Sequence, residues 1–205
     1  MFLEALSDKA KEIFPKLSNF NDFYLAGGTA LALQIGHRMS VDFDLFSGED
    51  IPDNLLDKVK KNFFDKSLSL SVNNIDELTV FIEEIKTTFL KYPFPIILDV
   101  IDYEGVKLLS VKEIAATKAY TIGRRGSYKD YVDLYFIISG QYSSLDEIIN
   151  LAEKKYGGEF NSRLFLEQLV YLEDIKDIEI IFLGKKISKA EVEEFFKKII
   201  SQIKL

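Results

Sequence analysis

The sequence contains no cysteine and a single histidine, His37, among 205 residues. Without cysteine there can be no disulfide framework, no thiol nucleophile and no thiolate-ligated zinc or iron–sulfur site. One histidine likewise excludes a multi-histidine metal centre. Any metal must rest mainly on oxygen ligands, which leaves magnesium, manganese or calcium. No run approaches the roughly 18 apolar residues of a membrane span, so no membrane partner is expected. The start, Met1-Phe-Leu-Glu-Ala, has no basic segment ahead of a long apolar core; no signal peptide is expected, and a cytoplasmic location is. Positive charge is outnumbered. Lys and Arg total 26 against 33 Asp and Glu, a net charge of −7. Such a chain repels phosphate at long range and is a poor general nucleic-acid binder, although a local basic patch can still grip one.

What is present suffices for a packed core: 47% of residues are hydrophobic and 29% charged, at a length that suits one large domain or two small ones. There is no internal repeat. Apolar spacing predicts a helix over 3–14, stopped by Pro15, then a short strand at Phe23-Tyr-Leu and a helix after Gly27-Gly28. A strand over 41–46 and a helix over 52–61 follow. Strands are expected at 68–72, 78–85, 87–92 and, as a buried apolar run, 95–101. From Ser110 the pattern turns helical. The S-x-x-E patterns at Ser110/Glu113, Ser144/Glu147 and Ser188/Glu191 read as capping boxes, and 128–139 as a further helix. The layout is α+β: a mixed-sheet subdomain over residues 1–105 and a helical subdomain over 106–205, with a cleft expected between them.

Four features bear on chemistry. In Asp42-Phe43-Asp44, residues two apart on a strand share a face, so both carboxylates point one way while Val41, Phe43 and Leu45 point the other. Two carboxylates this close repel unless a cation lies between them; alone, the pattern also fits a solvated strand face. Gly27-Gly28-Thr29 precedes a helix, where backbone N–H groups and a hydroxyl can meet an anion, or where Thr29 simply caps the helix. Asp99 interrupts an apolar run and must either leave the core or bind a cation. In the helical half, Lys118 shares a face with Ile114 and, partly buried there, needs an anionic partner, for which Asp133 is the candidate; Lys129, Asp130 and Asp133 lie on a largely apolar helix, where surface ion pairs explain Asp133 poorly.

The blocks Leu25-Ala-Gly-Gly-Thr-Ala-Leu-Ala-Leu33, His37-Arg-Met-Ser-Val-Asp-Phe-Asp-Leu-Phe46, Ile114-Ala-Ala-Thr-Lys118 and Arg124-Arg-Gly-Ser-Tyr-Lys-Asp-Tyr-Val-Asp-Leu-Tyr135 together resemble the AbiEii/AbiGii toxin family of DNA polymerase beta-like nucleotidyltransferases. The resemblance covers roughly residues 24–139 and is absent from the last third. It implies a nucleotidyltransferase-like fold in which Gly27, Gly28 and Thr29 contact the nucleotide phosphates. Asp42 and Asp44 match the metal-binding pair. Asp99 is taken as the third carboxylate and general base by its expected strand position. Lys118 matches a lysine that meets the triphosphate, and Asp130 and Asp133 match acids of the later helix. Arg38, Ser40 and Lys129 are added as nucleotide-site candidates; Arg38 and Ser40 could fix the nucleotide or brace the loop, with a surface role equally open. Two Mg²⁺ or Mn²⁺ ions are expected with ATP, GTP or another NTP bound.

The activity implied is metal-dependent transfer of NMP from NTP, with loss of pyrophosphate, to a hydroxyl of RNA (such as tRNA) or of a protein. The protein would be the toxin of a toxin–antitoxin or phage-defence pair, with a cognate antitoxin protein. The alternatives are a non-catalytic nucleotide- or partner-binding module of the same fold, and a nucleotidyltransferase acting on a small molecule such as an aminoglycoside. Most basic clusters read as solvated faces. Arg124-Arg125, between the two motif-bearing helices, is the exception, within reach of an RNA or triphosphate.

Overall fold

The structure, a computed structural model, describes residues 1–202 apart from the side chain of Arg125. It divides into two compact units, the first Met1–Ser110 and the second beginning at Val111. The division follows the hairpin formed by residues 101–108.

The first unit opens with α1 (Asp8–Ile13), flanked by 3₁₀ turns at Leu3–Ala5 and Phe14–Asn19. The continuous helix expected over 3–14 is therefore interrupted. Leu6 is extended, and the Ser7 side chain accepts from the Ala10 N–H, which starts a new helix at Asp8. Pro15 does not stop the chain; it sits in the first turn of the following 3₁₀ helix, where its missing N–H costs nothing. Next come β1 (Tyr24–Ala26), α2 (Gly27–Ile35), β2 (Phe43–Ser47) and α3 (Leu55–Asn62). They are followed by β3 (Leu68–Asn73), β4 (Glu77–Ile82), β5 (Ile85–Lys91), β6 (Ile101–Tyr103) and β7 (Val106–Leu108).

The strands form one mixed seven-stranded sheet in the order β3-β4-β5-β2-β1-β7-β6, with β2 at its centre. β2 runs antiparallel to β1 and parallel to β5. One sheet face is apolar: Leu25, Phe43, Leu45, Leu78, Val80 and Phe89 are all buried. Phe14 meets Phe43 at 6.4 Å and Phe20 meets Phe89 at 5.0 Å between ring centres, so the N-terminal helical segment covers this face. That core fixes which way β2 presents its alternate residues.

Two further expectations fail in this unit. Val41 is 47% exposed, because β2 begins only at Phe43. The apolar run 95–101 is not a buried strand. Residues 92–100 are irregular, Ile96 and Leu98 are each 37% exposed, and Asp99 is exposed. Pro93 and Pro95 supply no N–H to a ladder and confine the backbone before them, so pairing begins only at Ile101.

The second unit contains α4 (Val111–Arg125), α5 (Tyr128–Ser139), α6 (Leu145–Tyr156), α7 (Ser162–Val170) and α8 (Lys189–Ile200). Ala115, Ala116 and Ala119 are fully buried and let other helices approach α4 closely. The capping boxes at Ser144/Glu147 and Ser188/Glu191 form. The one expected at Ser110/Glu113 does not: Ser110 Oγ is buried with no hydrogen-bond partner, while Glu113 pairs with Lys155 of α6 at 2.6 Å. α7, capped by Asn161, has no counterpart in the elements read from the sequence. No described helix is long and apolar enough to cross a membrane.

Candidate active site

In the first unit β1 runs directly into α2, and the turn is made by Gly27 at φ +65°. That left-handed conformation favours glycine. The register adds a second requirement. Ala26 pairs with Asp44, so a Cβ on Gly27 would lie 2.8 Å from Asp44 Oδ2. A Cβ on Gly28 would run into Arg38 Nη2. Arg38 is only 3% exposed, and its Nη1 donates to the Met39 carbonyl at 3.0 Å. Ser40 Oγ lies 2.7 Å from Thr29 Oγ1, and the Thr29 hydroxyl donates to the Asp42 carbonyl. Arg38 and Ser40 are therefore internal braces of the glycine turn; the surface role left open for them does not hold. Thr29, 2% exposed, makes no helix-cap bond. Its hydroxyl instead ties the turn to the backbone of the Asp pair.

Phe43 and Leu45 are each 1% exposed, whereas Asp42 and Asp44 are half-buried. The alternation expected of the strand thus holds from residue 42, with both acids on the face opposite the core. The parallel neighbour β5 places Thr88 beside Asp44, and no residue from Ile85 to Lys91 is acidic. Asp99 is exposed and outside any strand. Among the described residues no group of three or more Asp, Glu, His or Cys is arranged to hold a metal ion. The three-carboxylate site expected from Asp42, Asp44 and Asp99 is therefore not assembled. Two carboxylates still fit the chemistry of Mg²⁺, which takes one or two protein carboxylates and completes its shell with waters and substrate phosphates.

In the second unit Lys118, on α4, is 8% exposed and sits between two aspartates of α5. Its Nζ is 2.7 Å from Asp130 Oδ1 and 2.8 Å from Asp133 Oδ2. Asp133 is fully buried. The pairing of Lys118 with Asp133 is as the sequence suggested, and Asp130 joins it. Asp130 also closes the start of α5, where its Oδ2 accepts from the Ser127 N–H at 2.9 Å and from the Ser127 hydroxyl at 3.0 Å. Ser127 is a residue that the sequence reading missed, although Ser127-Tyr-Lys-Asp130 carries the S-x-x-[DE] signal. Lys129 is half-buried and stands outside this cluster. Removing the Lys118 ammonium from between these two buried carboxyl groups would be costly.

A mixed sheet with a glycine turn leading to paired aspartates at the start of its central strand, one just before it and one within it, defines a nucleotidyltransferase fold, and solved structures share it. MenT4, the nucleotidyltransferase toxin Rv2826c from Mycobacterium tuberculosis H37Rv, superposes with a TM-score of 0.61 at 16% identity, over 95% of this chain and 82% of that one. JHP933 from Helicobacter pylori superposes with a TM-score of 0.54 at 16% identity, over 96% and 95%. An uncharacterised protein, aq_aa25, of Aquifex aeolicus (strain VF5) is 33% identical over 206 residues, 95% of this chain and 94% of its own length. The chain belongs to the family described as nucleotidyl transferase AbiEii toxin, type IV TA system, whose sequence profile matches residues 11–75 and 75–205.

Proposed function

We propose that the protein transfers a nucleotidyl group from a nucleoside triphosphate to a hydroxyl of an RNA or protein acceptor, as the toxin of a toxin–antitoxin or phage-defence pair held in check by an antitoxin protein. The observation that carries this reading is the half-buried Asp42/Asp44 pair set against the Gly27 turn. Asp42 and Asp44 would hold a divalent cation together with the triphosphate. Such a cation neutralises phosphate charge and helps align an attacking hydroxyl with the α-phosphorus. The backbone N–H groups at the start of α2 add favourable potential for phosphate. The Thr29 bond to the Asp42 carbonyl holds turn and carboxylates in one geometry. Lys118 would exchange an aspartate partner for the β and γ phosphates and stabilise the charge that grows on pyrophosphate. Asp99, exposed and in an irregular segment, is given no part in this reading.

The test is isotope transfer from α-labelled NTPs, with Mg²⁺, into total RNA, total protein or an aminoglycoside. Asp42→Asn and Asp44→Asn should abolish transfer and remove the metal-dependent part of NTP binding measured by calorimetry. Lys118→Ala should slow transfer by about 10²-fold or more while weakening NTP binding far less. Asp99→Asn should transfer at the wild-type rate. Metal-dependent NTP binding that survives both aspartate substitutions would sink the reading. Label entering only the aminoglycoside would replace its acceptor class.

A further inference from the structure

We propose that the open edge of the sheet, strand β3, is an interface on which a second copy of this chain pairs antiparallel, about a two-fold axis at Leu70. β3 (Leu68–Asn73) is outermost in the sheet and is bonded to β4 alone. An open strand edge offers a row of backbone donors and acceptors to any other strand, and proteins commonly blunt it with charged residues or proline. Here residues 67–75, Ser-Leu-Ser-Leu-Ser-Val-Asn-Asn-Ile, contain neither, in a chain that is 29% charged. Ser69, Leu70, Ser71 and Asn73 are exposed, so no other element covers the edge. A register shift between Leu70 and Val72 twists the strand locally without placing a charge on it.

Backbone geometry selects the centre of the pairing. The Glu83 N–H donates to the Ser67 carbonyl at 3.0 Å, and the same register sets Ser69 opposite Phe81 and Leu70 opposite Val80. Bonding direction alternates along an antiparallel strand. Ser67 and Ser69 therefore address β4, while Leu68 and Leu70 turn their N–H and C=O groups to the open side. Leu70 is placed to exchange both bonds with the partner's Leu70.

The distribution of exposed apolar side chains favours a second copy over some other extended chain. Phe64, Ile75 and Leu70 are 86%, 62% and 50% exposed, the three most exposed large apolar residues of the first unit. They flank and centre one stretch: Phe64 precedes Leu70, and Ile75 follows it at a similar remove. Antiparallel pairing about Leu70 sets the two Leu70 side chains together. It also brings each Phe64 to the end where the partner's Ile75 arrives. One symmetric contact thus shelters all three. The partner's Val72 then lies alongside residues 67–69, where Ser67, Leu68, Ser69, Phe81 and Glu84 line a cavity of about 390 Å³.

Charge fixes the direction. The first charged residue beyond the uncharged run is Lys66 at one end and Asp76 at the other. Antiparallel pairing brings these unlike charges toward each other at both ends, whereas parallel pairing would set like against like. Asp65, next along, is already held by Lys16 at 2.8 Å. A single strand pair falls short of the roughly 1,200 Å² of a standard interface, so the dimer is weak and depends on concentration. The contact involves neither Asp42, Asp44 nor Lys118 and stands independently of the transfer reaction.

Sedimentation velocity on the full chain, from micromolar to millimolar concentration, tests the interface. The protein should pass reversibly into a species of twice the monomer mass. Leu70→Lys and Leu70→Glu should each weaken self-association at least about tenfold, because like charges then meet at the axis. Mixed in equal amounts, the two variants should associate with each other more tightly than either does with itself. The chain has no cysteine, so Leu70→Cys carries a single thiol. Oxidation with copper phenanthroline should convert it to a disulfide-linked dimer. Ile181→Cys, 59% exposed on the second unit, should stay largely monomeric under the same treatment. Cysteine adds no charge at the edge, so this cross-link decides the question if the charged variants fail to fold. A wild-type chain that is monomeric even at millimolar concentration overturns the proposal, whether or not β3 takes an extended segment of another protein. A dimer that survives both charged variants, or that their mixture does not restore, also overturns it, because its contact lies elsewhere.

Discussion

Gly27 and Asp44 face each other across β1 and β2 so closely that a single added methyl carbon on the glycine would lie 2.8 Å from the carboxylate oxygen. The turn and the acid are thereby one device: the residue that lets the backbone reach φ +65° is also the one that leaves room for Asp44. Gly27→Ala should lower stability by about 1–2 kcal/mol through the left-handed backbone alone. It should also displace Asp44. Metal-dependent NTP affinity should then fall as far as in Asp44→Asn, by calorimetry on a variant shown to be folded by circular dichroism. Wild-type affinity in folded Gly27→Ala would show that the turn and the acid act independently.

Glu113 and Lys155 form a 2.6 Å ion pair with neither side chain exposed, joining α4, which carries Lys118, to α6. Removing one partner leaves a buried charge without its counterpart, and this costs about 3–5 kcal/mol. Replacing both by apolar groups of similar size removes the desolvation penalty together with the attraction. Urea unfolding should therefore show Lys155→Met strongly destabilised, and Glu113→Leu with Lys155→Met recovering most of the loss. A double variant as unstable as the sum of the two singles would mean that the pair is not the reason these charges are buried.

The contrast between these residues shows what the sequence makes legible. Gly27, Gly28, Asp42, Asp44, Lys118, Asp130 and Asp133 are legible jointly, through the resemblance of their blocks to one family; taken singly, the glycine turn and the Asp pair fit an ordinary turn and a solvated strand face equally well. The partner of Lys118 was within reach because α4 and α5 adjoin in the chain. Asp99 misleads because an apolar run looks like a buried strand until Pro93 and Pro95 are weighed as missing donors. Glu113 misleads differently. Its spacing from Ser110 satisfies a local rule, and a contact with Lys155, 42 residues away, overrides it. Arg38 and Ser40 stay open in the sequence between the nucleotide, a brace for the loop and the surface, since nothing in their own segment shows that they fold under the glycine turn. The family match also extends to residue 205, beyond the blocks that carry the resemblance.

Glu147 offers a pH test of the capping box that the sequence did foretell. Its carboxylate accepts from Lys112 Nζ at 2.8 Å, from the Ser144 N–H at 2.9 Å and from the Ser143 hydroxyl at 3.1 Å. The Lys112 bond first, then the Ser144 N–H and the Ser143 hydroxyl, bring its pKa down from 4.5 to about 2. The folded value lies below the unfolded one, so between them the unfolded chain binds a proton that the native protein does not. The contribution of Glu147 is therefore complete above about pH 4.5 and is lost as the pH falls toward about 2. Lys112 and Glu147 are 46% and 52% exposed, so solvent and salt keep the effect small, and the shape of its pH dependence is the discriminating measurement. Melting curves of wild type and Glu147→Gln should differ by a constant amount from pH 7 down to the upper bound. The two should then converge with further acidification and lie closer together in high salt at neutral pH. A gap that widens as the pH falls would mean that Glu147 is not held as a charged cap.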